Sequence, residues 1–396
     1  MNFILFEDKT RINLLPLTFT RPVADIRIGI LTIREKWEKL LQSKTSSKTE
    51  AYLSKKFPLE FAIDSDNIWI NGSFCPNEKL IGEIKTLKPN ELLMDSETII
   101  AANTGNEKTF DPETLVSFVK YESHAKAMRI EHSWDIFSKN GEAIVADFEL
   151  LTKGRKSLAL SKTNQVIGSE NIFVEEGAKV ECAILNASTG PIYIGKDAEI
   201  MEGSIVRGPL ALCEHAALKM GAKIYGPTTI GPHSKVGGEV NNSVIFGFSN
   251  KGHDGFLGNA VLGEWCNIGA DSNNSNLKNN YAEVKLWNYE KERFLNTGLT
   301  FCGLIMGDHS KCGINTMFNT GTVVGVSANI FGSGFPRNFV PSFSWGGAAG
   351  FTTNKTKDAF EVATRVMERR GLVFNETEKD ILMHVFELTE KYRKLV

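Results

Sequence analysis

The stretch Ile194-Gly-Lys-Asp-Ala198-Glu-Ile200-Met-Glu-Gly-Ser204-Ile-Val206-Arg-Gly-Pro-Leu210-Ala-Leu212-Cys-Glu-His-Ala216-Ala-Leu218 places an aliphatic residue at every sixth position. The beat runs on through Ile224, Ile230 and Val236. Two places before most of these stands a small residue: Ala198, Ser204, Ala216, Ala222, Thr228 and Ser234, with Leu210 the exception. It continues at Leu262 and Ile268 and resumes at Met306, Cys312, Phe318, Val324 and Ile330. An inward aliphatic paired with an inward small residue at this period marks a left-handed parallel β-helix of hexapeptide repeats. Each short strand gives one side chain to a narrow prism, and three strands close a coil about every 18 residues.

Working outward, 396 residues are too many for one ordinary core. Residues 1–160 mix strands and helices and predict an α/β domain: Phe3–Phe6 as a strand, Ile28–Leu41 as a helix, short strands in Phe61–Ile70, and a helical Pro112–Tyr121. The lysine- and serine-rich Ser43–Lys56 reads as a solvated loop. Residues 165–345 carry the repeat, and 355–396 form a helical tail. In that tail Asp358–Arg370 stops at Gly371, and Asn375 caps a second helix. The tail is expected to cover the open end of the β-helix or to meet a neighbouring subunit.

Composition excludes several classes. A net charge of −2 with no dense basic stripe gives no reason to expect nucleic acid. No apolar run approaches the roughly 20 residues of a membrane span. The first residues lack a signal-peptide pattern. The six cysteines, Cys75, Cys182, Cys213, Cys266, Cys302 and Cys312, form no CxxC and read as small hydrophobes in a reducing cytoplasm.

The repeat breaks at Phe246–Gly255 and again between Ile268 and Met306. In the second break, Ala282–Trp287 and Glu292–Leu295 predict a hairpin. Around the first lies Lys251-Gly-His253-Asp-Gly-Phe256-Leu-Gly-Asn-Ala-Val-Leu262-Gly-Glu-Trp-Cys-Asn267-Ile-Gly-Ala270. This run resembles the acetyltransferase stretch of the GlmU family, in which G-H-x-x-Y-L-G-D leads to N-I-G-A and then to an asparagine, here Asn276. The resemblance implies His253 as general base for an attacking amine, Asn267 and Asn276 as holders of the acceptor sugar, and Ala270 as a backbone contact of acetyl-CoA. A neutral imidazole suits that proton transfer near pH 7. The competing reading of His253 is a loop histidine that stabilises a turn. Two departures stand out. Phe256 replaces the family's tyrosine, and the sugar-phosphate arginine would fall at Tyr225, leaving Arg207 or Lys223 to take its part. His215, His233 and His309 fall at coil corners and read as surface or subunit-interface residues.

The first residues read Phe3-Ile-Leu-Phe-Glu-Asp8-Lys-Thr-Arg11-Ile-Asn-Leu-Leu-Pro16-Leu-Thr18-Phe-Thr-Arg21-Pro22. They resemble the opening of sugar-1-phosphate nucleotidyltransferases, but Glu7, Asp8 and Lys9 replace glycines that let backbone N–H groups approach phosphates. With Trp69-Ile-Asn71-Gly72 and Trp134-Asp135-Ile-Phe137, the pattern resembles divergent GlmU-like proteins over nearly the whole chain. That resemblance implies Arg11 and Arg21 at a nucleotide, Asp8 and Asp135 at Mg²⁺, acetyl-CoA and UTP as co-substrates, and a homotrimer. The implied product is UDP-N-acetylglucosamine. Two alternatives stay open: a nucleotidyltransferase whose β-helix is only structural, and a non-enzymatic trimeric scaffold.

Overall fold

The computed structural model describes residues 1–107, 110 and 114–394. They fall into two compact units, one of Met1–Leu14, Thr20–Ile26 and Leu31–His132, the other of Leu15–Phe19, Arg27–Ile30 and Ser133–Val396.

In the first unit, six strands form a mixed sheet in the order Thr45–Lys48, Asn2–Phe6, Asn67–Asn71, Thr98–Asn103, Glu91–Asp95, Val119–Glu122. The first three run parallel, and Thr98–Asn103 pairs antiparallel with both of its neighbours. Ile4, Phe6, Trp69, Leu92, Ala102 and Leu115 make one buried cluster on this sheet. Apolar burial at about 25 cal/mol per Å2 supplies its main stabilisation.

Four expectations are corrected here. The helix predicted over Ile28–Leu41 is Ile33–Leu41. Gly29 takes a left-handed φ of +73°, and Thr32 opens the helix as an N-cap whose hydroxyl accepts from Glu35 N while Glu35 answers on Thr32 N. In Phe61–Ile70 a single strand begins at Asn67. Pro112 lies outside the described residues, and beyond it come a short 3-10 turn, Thr114–Ser117, and the strand Val119–Glu122, not a helix. Finally, Ser43–Lys56 is no solvated loop at its centre: Thr45–Lys48 is an edge strand with Ser46 and Ser47 buried. Arg34 donates to Thr45 O at 3.3 Å and is ion-paired with Asp25 at 2.7 Å. A polar strand is tolerated there because its side chains have partners.

The second unit is a parallel β-helix. Its strands stack into three ladders, one through Leu185, Val206, Ile224, Val240 and Leu257, one through Ile194, Leu212, Ile230, Ile245, Leu262, Met306 and Val324, and one through Val180, Ile200, Leu218, Val236, Lys251, Ile268, Cys312 and Ile330. These are called the Val206, Leu212 and Leu218 faces. The chain visits them in that order, coil after coil. Because each coil repeats the same inward positions, the aliphatics fuse into one continuous buried core. Leu212 is fully buried within it. Leu212→Ala is expected to lower unfolding stability by roughly 2–5 kcal/mol, since neighbouring coils cannot collapse into the gap. A urea titration measures this, and a change below about 1 kcal/mol would contradict so tight a prism.

The hairpin of the second break consists of Lys285–Asn288 paired antiparallel with Arg293–Asn296. The tail helices are Thr356–Glu368 and Glu376–Leu388, followed by the turn Glu390–Arg393. Gly371 has φ +70°, and Asn375 caps the second helix by accepting from Glu378 N at 3.0 Å. Contacts of Arg370 with Asn250, Phe374 with His309 and Phe386 with Phe343 run along several coils. The tail therefore lies on the flank of the β-helix. Five of the six cysteines are buried, whereas Cys182 is exposed at a corner. No helix among the described residues is long and apolar enough to cross a membrane.

Candidate functional site

His253 sits at the corner between the Leu218 and Val206 faces, after Asn250–Lys251 and before Phe256–Gly258. Ala270 occupies the same corner one coil on, after Asn267–Ile268. The two corners are tied by Asp271 N donating to Asp254 O at 3.1 Å. The backbone here demands glycine. Gly255 has φ +112°, and a Cβ on it would lie 2.2 Å from Ser272 O. His253 is exposed. Its carbonyl accepts from the Nζ of Lys251.

Lys251 is the residue that sequence reasoning missed. It stands in register with Val236 below, at a position that aliphatics fill elsewhere on the Leu218 face, and is only 1% exposed. Burial pushes its ammonium down to about 8, although the Asp254 and Asp271 charges favour the proton. Asn274 likewise fills an inward position, exchanging hydrogen bonds with Gly258 N (2.8 Å) and Gly258 O (2.9 Å). The signal was available, since a lysine at an aliphatic register position is an anomaly in a repeat.

Asn267 projects from the outer side of the Leu218 face, next to the His253–Ala270 corner, and is exposed. Asn276 lies beyond the far end of the Val206 face, where its Nδ2 donates to Asn259 Oδ1 at 2.8 Å. The strand between the two corners, Phe256–Gly258, has 3 residues and spans about 10 Å. One chain thus gathers His253, Ala270 and Asn267, with Asn276 at the next corner. Arg207 and Lys223 are exposed on the outer Val206 face. Lys223 shares a row with Glu239 and Phe256, two coils before the latter. Tyr225, in the place of the family arginine, donates its hydroxyl to Glu239 Oε1 at 2.6 Å.

The corner histidines form a ladder. His215, His233, Phe248, Trp265 and His309 stack ring on ring at 4.7, 4.8, 4.3 and 6.2 Å. Burial, then the neighbouring His215, pushes the His233 imidazole down. Each ring packs on the coil above, so the ladder reads as corner packing.

In the first unit the glycine-poor loop is closed by its own charges. Glu7 accepts from Val23 N at 2.7 Å and from Arg11 Nη1 at 3.2 Å. Arg11 also donates to Tyr52 OH at 2.8 Å and Arg21 O at 3.3 Å. Arg21 is buried. Asp8 Oδ1 accepts from Thr10 N and Oγ1, and Oδ2 from Asn71 Nδ2 (2.9 Å) and Arg129 Nη2 (3.0 Å). Burial alone would raise the Asp8 carboxyl; the Thr10 and Asn71 bonds, with the Arg129 charge, hold it below the usual carboxylate range. Arg129 was invisible to sequence reasoning because its partner lies 121 residues away. Asp135 belongs to the other unit, in the first turn of Asp135–Ser138, 3.6 Å from Lys139 Nζ. Among the described residues no three His, Cys, Asp or Glu side chains gather where a metal could bind.

Residues 3–156 match the family model described as sugar nucleotidyl transferase. A bifunctional sugar-1-phosphate nucleotidylyltransferase/acetyltransferase of Sulfurisphaera tokodaii is 23% identical over 379 residues, covering 80% of this chain and 92% of that protein. A protein named bifunctional protein GlmU, from Methanocaldococcus jannaschii, is 26% identical over 204 residues, 52% of this chain and 45% of its own length. Among solved structures, the polySia specific acetyltransferase NeuO aligns with 53% of this chain and 99% of its own at 14% identity. Its TM-score of 0.28 is too low to bear on function. With a sugar nucleotidyl transferase match at one end, a parallel β-helix at the other, and relatives named for both activities, the chain is similar to the bifunctional GlmU-like proteins.

Proposed function

We propose that this protein acetylates an amino sugar 1-phosphate, glucosamine 1-phosphate first among candidates, and then transfers a uridylyl group to the product, giving UDP-N-acetylglucosamine. The observation that carries the first half is the His253–Ala270 corner, two stacked turns with Asn267 beside them on a preformed rigid scaffold. There His253 takes a proton as the sugar amine attacks the thioester carbonyl of acetyl-CoA. The C–N bond forms, the C–S bond breaks, and CoA leaves as the thiol. The Ala270 backbone faces the thioester. Lys223, or Arg207, meets the sugar phosphate, replacing the family arginine. Asn276 stands about one strand length from His253 in the same chain, so a site using both residues draws them from neighbouring copies. That geometry supports a trimer.

In the second step a phosphate oxygen of the acetylated sugar attacks the α-phosphorus of UTP, and pyrophosphate leaves. Arg11, Arg21 and Arg129 are the cations that the first unit offers to the phosphates. The Asp8 carboxylate is already engaged by Thr10, Asn71 and Arg129, the last of which also pairs with Glu131, and no group of three His, Cys, Asp or Glu side chains forms there among the described residues. It does not make a cradle for Mg²⁺, and no step is assigned to a protein-held metal. Because Glu7 and Asp8 bind their own arginines, a second reading is favoured specifically here: acyl transfer is retained and nucleotidyl transfer is lost.

The test supplies purified protein with acetyl-CoA, glucosamine 1-phosphate, UTP and Mg²⁺, and follows CoA and pyrophosphate separately. Both products are expected. CoA without pyrophosphate selects the second reading. Pyrophosphate alone selects a nucleotidyltransferase with a structural β-helix, and neither product overturns the proposal.

A further inference from the structure

The hairpin that interrupts the repeat lies against the last coils and borders an open groove of about 590 Å3, within the range that holds small ligands. Its walls combine two chemistries. Trp287 and Phe339 stack at 4.2 Å with planes 11° apart. Phe294 stands edge-on to Trp287 at 5.5 Å. Around these rings lie Lys278, Lys285 and Arg337, and none of the described lining residues is acidic. The Trp287 indole N–H is buried and has no hydrogen-bond partner among the described residues. A buried donor without an acceptor is costly and uncommon in a finished core. The groove therefore gathers flat apolar surface and three cations, and one of its lining rings carries a buried donor that lacks an acceptor. The groove's lining starts at Lys278, two residues after Asn276, and belongs to a different corner from His253.

We propose that this groove is a second ligand site, for a molecule joining a flat heteroaromatic ring to phosphate, that is, a nucleotide. The base would lie against the Phe294 and Trp287 rings, the indole N–H would donate to a base or ribose oxygen or nitrogen, and the lysines and Arg337 would meet phosphate. A purely apolar ligand would make no use of the positive charge around the rings, where Lys278 also donates to Glu283 O at 2.7 Å. An inorganic anion alone would leave the rings and the indole N–H unused. Two sources share this chemistry: the adenosine 3′,5′-bisphosphate end of coenzyme A, and a free nucleotide such as UDP.

The experiment is calorimetric titration of the full-length protein with adenosine 3′,5′-bisphosphate and, separately, with UDP. It compares the parent with Lys285→Glu, Trp287→Phe and His253→Ala. At least one nucleotide is expected to bind the parent. Lys285→Glu, at an exposed position, should weaken that binding about tenfold or more. Trp287→Phe keeps a ring but loses the donor, and should weaken it about fivefold. His253→Ala should bind as the parent does, which separates this groove from the acyl corner. Preference for the bisphosphate assigns the groove to the end of coenzyme A, and preference for UDP to a free nucleotide. If neither nucleotide binds the parent, or if binding survives Lys285→Glu and Trp287→Phe unchanged, the proposal is overturned. The readout is binding, so it stands or falls whether or not acetyl transfer is found.

Discussion

His253→Ala is expected to lower CoA release from acetyl-CoA by about 10²–10⁴-fold, the usual contribution of a positioned general base. The argument is geometric. The side chain is exposed, so truncation opens no cavity and removes no core contact. The corner itself is held by other groups: Lys251 Nζ on the His253 carbonyl, and Gly255 pressed against Ser272. The variant should therefore unfold at the same urea concentration as the parent. Pyrophosphate release, given ready-made N-acetylglucosamine 1-phosphate and UTP, should also be unaltered, because that chemistry is proposed for the other unit. The informative contrast is thus within one protein, one product lost and the other kept. A His253→Ala enzyme that released CoA at the parental rate would reduce His253 to a turn residue and leave the β-helix without a base.

How far the sequence reveals this molecule differs from element to element. The six-residue beat predicts the prism because every coil repeats the same steric demand, so pattern and structure share one period. The beat fails where coils shorten. Val236 to Val240 is one face change in four residues, made possible by Gly237 and Gly238. A Cβ on Gly238 would come within 2.8 Å of Asp254 Cα. Counting aliphatics at a fixed interval passes over such slips, and so passes over Lys251 and Asn274, which fill aliphatic positions with polar atoms. In the first unit, the strand Asn2–Phe6 and the Thr32–Glu35 capping box are local signals, and a sequence carries them. The Asp8–Arg129 pair is a contact between distant segments, and nothing local announces it. The corner proposed for acyl transfer is marked by a motif, but its internal support, the buried Lys251 ammonium bonded to the His253 carbonyl, is visible only in three dimensions.

That ammonium leads to the second large effect: Lys251→Met is expected to produce a protein more stable than the parent at pH 7, yet a poorer acetyltransferase. Burial is the main cause holding the Lys251 pKa down, from 10.5 to about 8. A base whose folded pKa is depressed binds protons less well folded than unfolded, so between pH about 8 and 10.5 the unfolded chain holds the extra proton and stability rises with pH. Below that window both states are protonated and the fold carries the full cost of a buried charge, up to about 3 kcal/mol. Methionine fills the same length without the charge, and removes that cost together with the hydrogen bond to the His253 carbonyl. The net gain at pH 7 should be about 1–3 kcal/mol, and should vanish toward pH 10.5. Burial also lowers the pKa of Lys311, which stays in place together with the other titratable groups. They are common to both proteins, so the difference between urea midpoints of parent and variant, followed from pH 7 to 10.5, isolates Lys251. Parallel curves would mean that the ammonium reaches solvent and carries no such penalty. The rate is the other half of the argument. Without the Nζ tether the Lys251–Gly255 loop loses the bond that fixes His253 over the corner, and displacement of a base by about 1 Å can cost 10²-fold. A charge kept in an aliphatic core at the expense of stability is what a loop held for catalysis requires. A Lys251→Met enzyme that was both more stable and fully active would leave the buried lysine without that reason to be there.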